Sequence, residues 1–267
     1  MAGTLFVIAT PIGNLEDVTG RALRVLREVA IIAAEDTRHT AKLLTRYGIS
    51  TPTTSLHEHN ERQKTPGILE RLRRGDNVAL VSDAGTPAIS DPGSHLIQAA
   101  RHEGIAVSPI PGPSALTALL SIIGVPPEGF RFLGFPPTKS KDRIEWFSRL
   151  ASGVSLAVFY EAPHRIKSTL SEISGRFGAE THVVIGRELT KTHEELVDGP
   201  ISKIIDTVRP QGEFVVAVTI GQTDDLAARR APNPADVRVE FVHLTNIDGL
   251  TRRGAISSIA RKYAMSA

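Results

Sequence analysis

Two loops in the second half of the chain carry side chains suited to chemistry on an anionic substrate. Phe159-Tyr-Glu-Ala-Pro-His-Arg165 and Gly186-Arg-Glu-Leu-Thr-Lys191 each follow an apolar, strand-like run. They should bring His164, Arg165, Arg187, Glu188 and Lys191 to one edge of a sheet. Guanidinium and ammonium groups suit phosphate binding, and the same loops offer a carboxylate. Two readings fit these residues: a structural ion-pair network between the loops, or a substrate floor that grips phosphates.

Three loops in the first half have a different character. Ala9–Thr19, Ser82–Gly93 and Ile110–Ala115 are short on charge and rich in small residues and proline. Small residues let a ligand approach the backbone, and Pro87 and Pro92 stiffen the longest loop. Asp83 and Thr86 supply polar ends, and Asp91 stands where it could cap the helix that follows. Ser114 is a natural N-cap, and a helix start with free N–H groups also receives polar ligands.

Several chemistries are excluded. No two glycines lie two apart, so the dinucleotide fingerprint G-x-G-x-x-G is absent, and no phosphate-binding P-loop occurs. There is no G-x-S-x-G nucleophile elbow and no histidine pair at H-E-x-x-H spacing. The chain has no cysteine, which removes disulfides and thiolate sites together and fits a cytoplasmic location. The apolar run at the N-terminus has strand length and no basic flank, so it reads as a first strand and not a signal peptide. No run approaches the ~18 apolar residues of a membrane span.

The elements that must position these loops follow a strand–helix rhythm. Strands are expected at Thr4–Ala9, Ile31–Ala34, Val78–Ser82 and Ile105–Ile110, with helices at Arg21–Ala30, His39–Tyr47, Gln63–Arg74, Ser94–His102 and Ser114–Ile122. That pattern implies an α/β fold with a parallel sheet covered on both faces. Gly124–Gly129 reads as a linker, after which the rhythm resumes. The second set has strands at Phe132–Phe135, Ser155–Glu161, His182–Arg187 and Phe214–Ile220. Its helices are Ser140–Leu150, His164–Phe177 and Ile201–Val208. The expected organisation is an N-terminal α/β domain over residues 1–124, a second over 125–222, and a linker and tail over 223–267. Asp224–Pro234 looks like a connector and Gly254–Ala264 like a short amphipathic helix. The net charge is only +2, but Arg38–Arg74 carries eight basic and three acidic residues and Arg131–Arg149 five and two. These patches permit a polyanionic partner.

The ordered set ATPIGNLEDVT, AEDTR, SDAGTPAISDPG, PIPGPSA, FYEAPHR, GRELTKTHEE and GEFVV resembles the tetrapyrrole-methylase superfamily of S-adenosylmethionine (SAM) methyltransferases. Within it, the set is similar to the group that acts on ribosomal small-subunit RNA. The resemblance runs from Thr4 to about Gly221, and Gly249–Ile256 looks like the group's tail. In tetrapyrrole-making relatives the first loop is G-x-G-P-G-D; here it is Thr10-Pro-Ile-Gly-Asn14, which points to RNA. The resemblance implies two α/β domains with SAM in the cleft between them, and a homodimer. It also implies methylation of the ribose 2′-oxygen of one cytidine of 16S rRNA, at the decoding centre of the small subunit. Its cofactor positions fall on Pro11, Ile12, Asp83, Ala84, Gly85, Thr86, Ile89, Ser114 and Ala115, with Tyr160 closing the far side. His164, Arg165, Arg187 and Lys191 become substrate contacts, and Glu188 the candidate base for the ribose hydroxyl. A tetrapyrrole C-methyltransferase and a non-catalytic RNA-binding ribosome-assembly factor stand as alternatives.

Overall fold

Continuous aliphatic runs make strands buried on both faces, as Ile31–Ala34 and Val78–Val81 do in the first sheet. The structure is a computed structural model and describes residues 2–151, 156–220, 238, 241–245 and 251–262. The chain divides into two units, Met1–Thr219 and Ile220–Ala267. The first unit begins with β1 (Thr4–Ile8), α1 (Gly20–Glu28), β2 (Ile31–Ala34), α2 (Thr37–Arg46) and β3 (Thr53–Ser55). It continues with α3 (Glu61–Arg73), β4 (Val78–Val81), α4 (Ser94–His102), β5 (Ala106–Ile110) and α5 (Ala115–Ile123). These strands form one sheet in the order β3-β2-β4-β1-β5, every neighbouring pair parallel. Leu26, Ile32 and Val81 belong to one apolar cluster of this sheet, and Leu5, Leu72 and Leu96 to another.

After β6 (Phe130–Phe132) come α6 (Ser140–Ala151), β7 (Leu156–Glu161), α7 (Ile166–Phe177) and β8 (His182–Arg187). Then follow β9 (Glu195–Pro200), α8 (Ile201–Ile204) and β10 (Phe214–Thr219). Their sheet has the order β6-β7-β10-β8-β9. Here the expected parallel arrangement is corrected. Only β6 and β7 run parallel; β10 lies antiparallel between β7 and β8, and β9 turns back on β8. The reason is β9, which the sequence reading misses. Its residues Glu-Leu-Val-Asp-Gly-Pro set two carboxylates around Leu and Val and end in Gly-Pro, the composition of an edge strand and not of a buried one. The two sheets are joined by an apolar seam in which Leu119 and Leu120 of α5 meet Leu156, Val158, Val215 and Ala217.

In the second unit α9 (Arg252–Lys262) buries Ala255 and Ile259, four residues apart on one stripe. The expected connector Asp224–Pro234 lies outside the described residues.

Candidate active site

Parallel strands place their following loops at one sheet edge, and ligands of such sheets bind there. The loops after β1, β4 and β5 face the strand ends of the second sheet across a cleft of about 310 Å³. From the first sheet, Ile12, Asp83, Ala84, Gly85, Thr86 and Ile89 line it, with Ser114 and Ala115 at the start of α5; Tyr160 lines it from β7. Pro11 is buried beside Ile12 and does not reach the lining.

Backbone pairing fixes the first two loops against each other. Thr10 and Gly85 exchange both hydrogen bonds, at 2.8 and 3.0 Å, and the Thr10 hydroxyl donates to the Ser82 carbonyl. Gly85 sits at φ +76°, where a side chain is strained. At the other end of the first loop, a Cβ on Gly13 would lie 2.4 Å from Lys191 Cγ, and Asn14 N–H donates to Thr190 Oγ1. Only glycine allows that approach, which packs the first loop on the loop after β8.

Two expected caps differ. Asp91 does not cap α4, whose N-cap is Gly93 without a side-chain bond. Ser114 holds the N-cap position of α5, but its hydroxyl makes no capping bond. It is directed instead to Tyr160. Burial pushes the Tyr160 phenol up, and hydrogen bonding from Leu116 and Ser114 pulls the other way.

The cleft also holds carboxylates that sequence reasoning did not single out as site residues. Glu35 follows β2 and accepts from Asp83 N–H, while Asp83 accepts from Asp36 N–H, tying the ends of β2 and β4 together. Glu35, Asp91 and Glu213 all line the cleft. The available signal was an acid directly after a strand, as at Glu35 and Asp83. Burial pushes the Glu35 carboxyl up. The Asp91 carboxyl is raised to about 6, first by burial and then by the charges of Glu35 and Asp83, against a bond from Ser82.

A raised carboxyl costs native stability once it must ionise. For Asp91 that cost is absent below pH ~4, grows between there and about 6, and persists above. Asp91→Asn should therefore stabilise the protein at pH 8 by about 1–2 kcal/mol, allowing for solvent at this half-buried side chain, and by nothing at pH 4. Thermal unfolding at both pH values checks it; equal gains at both would remove the ionisation argument.

The second-domain residues are satisfied locally. The Arg187 guanidinium, nearly buried, pairs with Glu195 at 2.8 Å. The Glu188 carboxylate takes Lys191 Nζ at 2.9 Å and Glu213 N–H at 2.9 Å, and Lys191 also reaches Glu213 at 3.0 Å. Burial pushes the Glu188 carboxyl up, but Lys191, the Glu213 N–H and Arg187 together hold it below its ordinary value. Burial likewise opposes the Lys191 charge, and Glu188 and Glu213 outweigh it, so the ammonium is raised. Arg165 faces the buried Glu161 carboxylate at 3.4 Å and donates to the Pro136 carbonyl. His164 is exposed. None of Glu188, His164, Arg165, Arg187 and Lys191 lines the cleft. These charges pair within their own loop or with Glu195 and Glu213, and among the described residues no ion pair of theirs joins the two loops.

Two α/β sheets meeting at a cleft of small, stiffened loops define a class. The profile of the tetrapyrrole (corrin/porphyrin) methylases matches residues 4–205. Uroporphyrin-III-C-methyltransferase of Thermus thermophilus superposes with a TM-score of 0.58 at 18% identity, covering 81% of this chain and 94% of that one. At that identity the likeness shows the fold. The chain belongs to the tetrapyrrole methylase family. Within that family it groups with proteins named ribosomal RNA small subunit methyltransferase I. The relative in Pseudomonas aeruginosa is 49% identical over 222 residues, 81% of this chain and 79% of the relative. The one in Synechocystis is 41% identical over 263 residues, 97% of this chain and 93% of the relative.

Proposed function

We propose that this chain is a SAM-dependent methyltransferase that modifies the 2′-oxygen of a cytidine ribose in 16S rRNA, at the decoding centre of the small subunit. One observation carries the reading: relatives with 41–49% identity over most of the chain bear the name of a ribosomal small-subunit RNA methyltransferase. The cleft supports it by its chemistry. Its volume is within the range of small-molecule sites, Ile12, Leu189 and Val215 offer apolar walls, and Glu35, Asp83 and Asp91 suit a cationic ligand. Ile12, Asp83–Thr86, Ile89, Ser114, Ala115 and Tyr160, all in the lining, are the proposed cofactor residues, and Pro11 supports them from beside Ile12 without reaching the cleft. When bound, SAM supplies a methyl group already activated by a positive sulfur. The protein's task is then to align the attacking oxygen, a large entropic contribution. A homodimer acting on the small ribosomal subunit in the cytoplasm belongs to the same proposal. Among the described residues no helix is long and apolar enough to cross a membrane.

Glu188 is the candidate base from sequence, but a carboxyl held low by Lys191 is a weak proton acceptor. We assign it to holding the loop after β8, with the ribose proton passing to water. Glu188→Gln should then lower turnover by less than tenfold, short of the ~10²–10⁴-fold that a general base contributes. A loss of that larger size, with SAM and RNA binding kept, would restore it as the base. His164, which is exposed, is proposed to face the RNA beyond the cleft, whereas Arg187, nearly buried against Glu195, and Lys191, held by Glu188 and Glu213, are assigned with Glu188 to holding the loop. The functional test is transfer of tritiated methyl from SAM to unmethylated 30S subunits, with the modified nucleotide mapped. Methylation of a tetrapyrrole instead, or SAM binding without any transfer, would overturn the reading.

A further inference from the structure

Two large apolar side chains on the rim of the cleft stay in water. Phe135 is 50% exposed and Ile89 44%, whereas Ile12, Leu189 and Val215 in the walls are buried. Ile89 rides on the loop after β4 and Phe135 on the strap after β6. The two segments meet closely: a Cβ on Gly134 would lie 3.4 Å from Ser90 Oγ.

The strap is held far more firmly than an exposed loop needs to be. Tyr160 N–H donates to the Gly134 carbonyl at 3.0 Å. Arg165 donates to the Pro136 carbonyl, and Arg143 to the Pro137 carbonyl at 3.1 Å. Both guanidiniums are themselves anchored. Arg143 binds Glu172 and, at 2.9 Å, Thr169 Oγ1, and Arg165 faces Glu161, whose other oxygen accepts from the Thr169 hydroxyl. The Phe135 ring leans on Tyr160, centroids 5.4 Å apart at 57°. A water-exposed phenyl on a strap whose backbone two arginines hold is pre-organised for a flat partner, because little freedom of the strap remains to be lost on contact. The same strap runs on to Lys139 and Lys141, both exposed. An aromatic platform followed by cations matches a stacked base with its flanking phosphates.

Resting on the reading of the previous subsection, we infer that Phe135 is the stacking platform for the base of the target nucleotide, drawn out of the RNA to the rim of the cleft. Ile89 forms the opposite lip, and Lys139 and Lys141 meet the adjoining phosphates. Extrusion is the usual way for an enzyme to reach a nucleotide enclosed in structured nucleic acid.

The test uses the full chain, SAM and unmethylated 30S subunits. Phe135→Ala should lower kcat/KM for 30S subunits by roughly 5- to 150-fold, the range that loss of one stacked base corresponds to. Phe135→Tyr should restore most of it and Phe135→Leu should not, since leucine covers Tyr160 but offers no ring. SAM affinity by calorimetry should stay at the wild-type value in all three. A parallel loss of SAM affinity would give Phe135 to the cofactor and overturn the inference. So would a leucine variant as active as wild type, or an unaffected alanine variant. A wild-type protein that methylates no 30S subunit removes the underlying reading, and the platform with it; an active wild type beside an unaffected Phe135→Ala overturns the platform alone.

Discussion

Arg165→Ala should unfold the protein roughly 6–12 °C earlier than wild type. The sequence offers Arg165 as a phosphate contact, and a surface contact of that kind would leave stability untouched. The structure gives it buried work instead. The Glu161 side chain is 0% exposed and that of Arg165 20%, and Arg165 also satisfies the Pro136 carbonyl. Removing one partner of a buried ion pair leaves the other charge uncompensated, at a cost of ~3–5 kcal/mol. Glu161 keeps two other donors, Ala162 N–H and the Thr169 hydroxyl, so the lower end of about 3 kcal/mol applies. For a unit of this size each kcal/mol lowers Tm by about 2–4 °C. Calorimetric melting decides it, alongside the salt dependence of RNA binding. An unchanged Tm with the slope of log K against log[salt] flattened by about 0.7–0.9 would return Arg165 to the phosphate role. Arg165→Lys should recover little, because one ammonium cannot serve Glu161 and the Pro136 carbonyl in the planar geometry of a guanidinium.

That contrast also marks what a sequence can and cannot display. Strands such as Ile31–Ala34 and Val78–Val81 announce themselves, because a strand buried on both faces must be continuously apolar. Ser94–His102 is equally plain, closed by a glycine after its last basic turn. The edge strand Glu195–Pro200 is hidden, since solvent on one side removes the need for apolar residues, and with it the antiparallel half of the second sheet is hidden too. The loops around the cleft are legible as loops, by their small residues and prolines. The charge pairing inside them is not. Arg165 reads as a phosphate contact, and nothing local says that Glu161, four residues before it, is buried and accepts from Thr169 of α7. Glu35 and Asp91 are some fifty residues apart, and nothing local says that both face one cleft. Phe135 is hidden for the opposite reason. An aromatic after a strand is normally core, and its exposure is a property of the strap that holds it.

The largest effect on binding is expected at the floor of the cleft. Gly85→Leu should weaken SAM binding by up to roughly 150-fold while the protein remains folded. Two physical terms act at this position and can be separated. The first is backbone strain: φ is +76°, and both Gly85 N–H and its carbonyl are tied to Thr10, so the chain cannot relax by moving away. An L-residue held there loses about 1–2 kcal/mol of stability. The second is space. A Cβ at Gly85 would lie 3.4 Å from Ile12 Cγ2 and 3.8 Å from the Pro113 carbonyl, which is ordinary contact. Three further carbons must either displace Ile12 or enter the cleft, and overpacking of this kind costs up to ~3 kcal/mol, about 150-fold in affinity. Gly85→Ala carries the strain without the bulk. It should lower Tm about as much as leucine does, yet leave SAM affinity far closer to wild type. Calorimetric titration of both variants with SAM, each first shown to melt cooperatively, separates strain from occupancy. If the leucine variant binds SAM as wild type does, the space above Gly85 is not where the cofactor lies, and the assignment of Asp83–Thr86 to it is wrong.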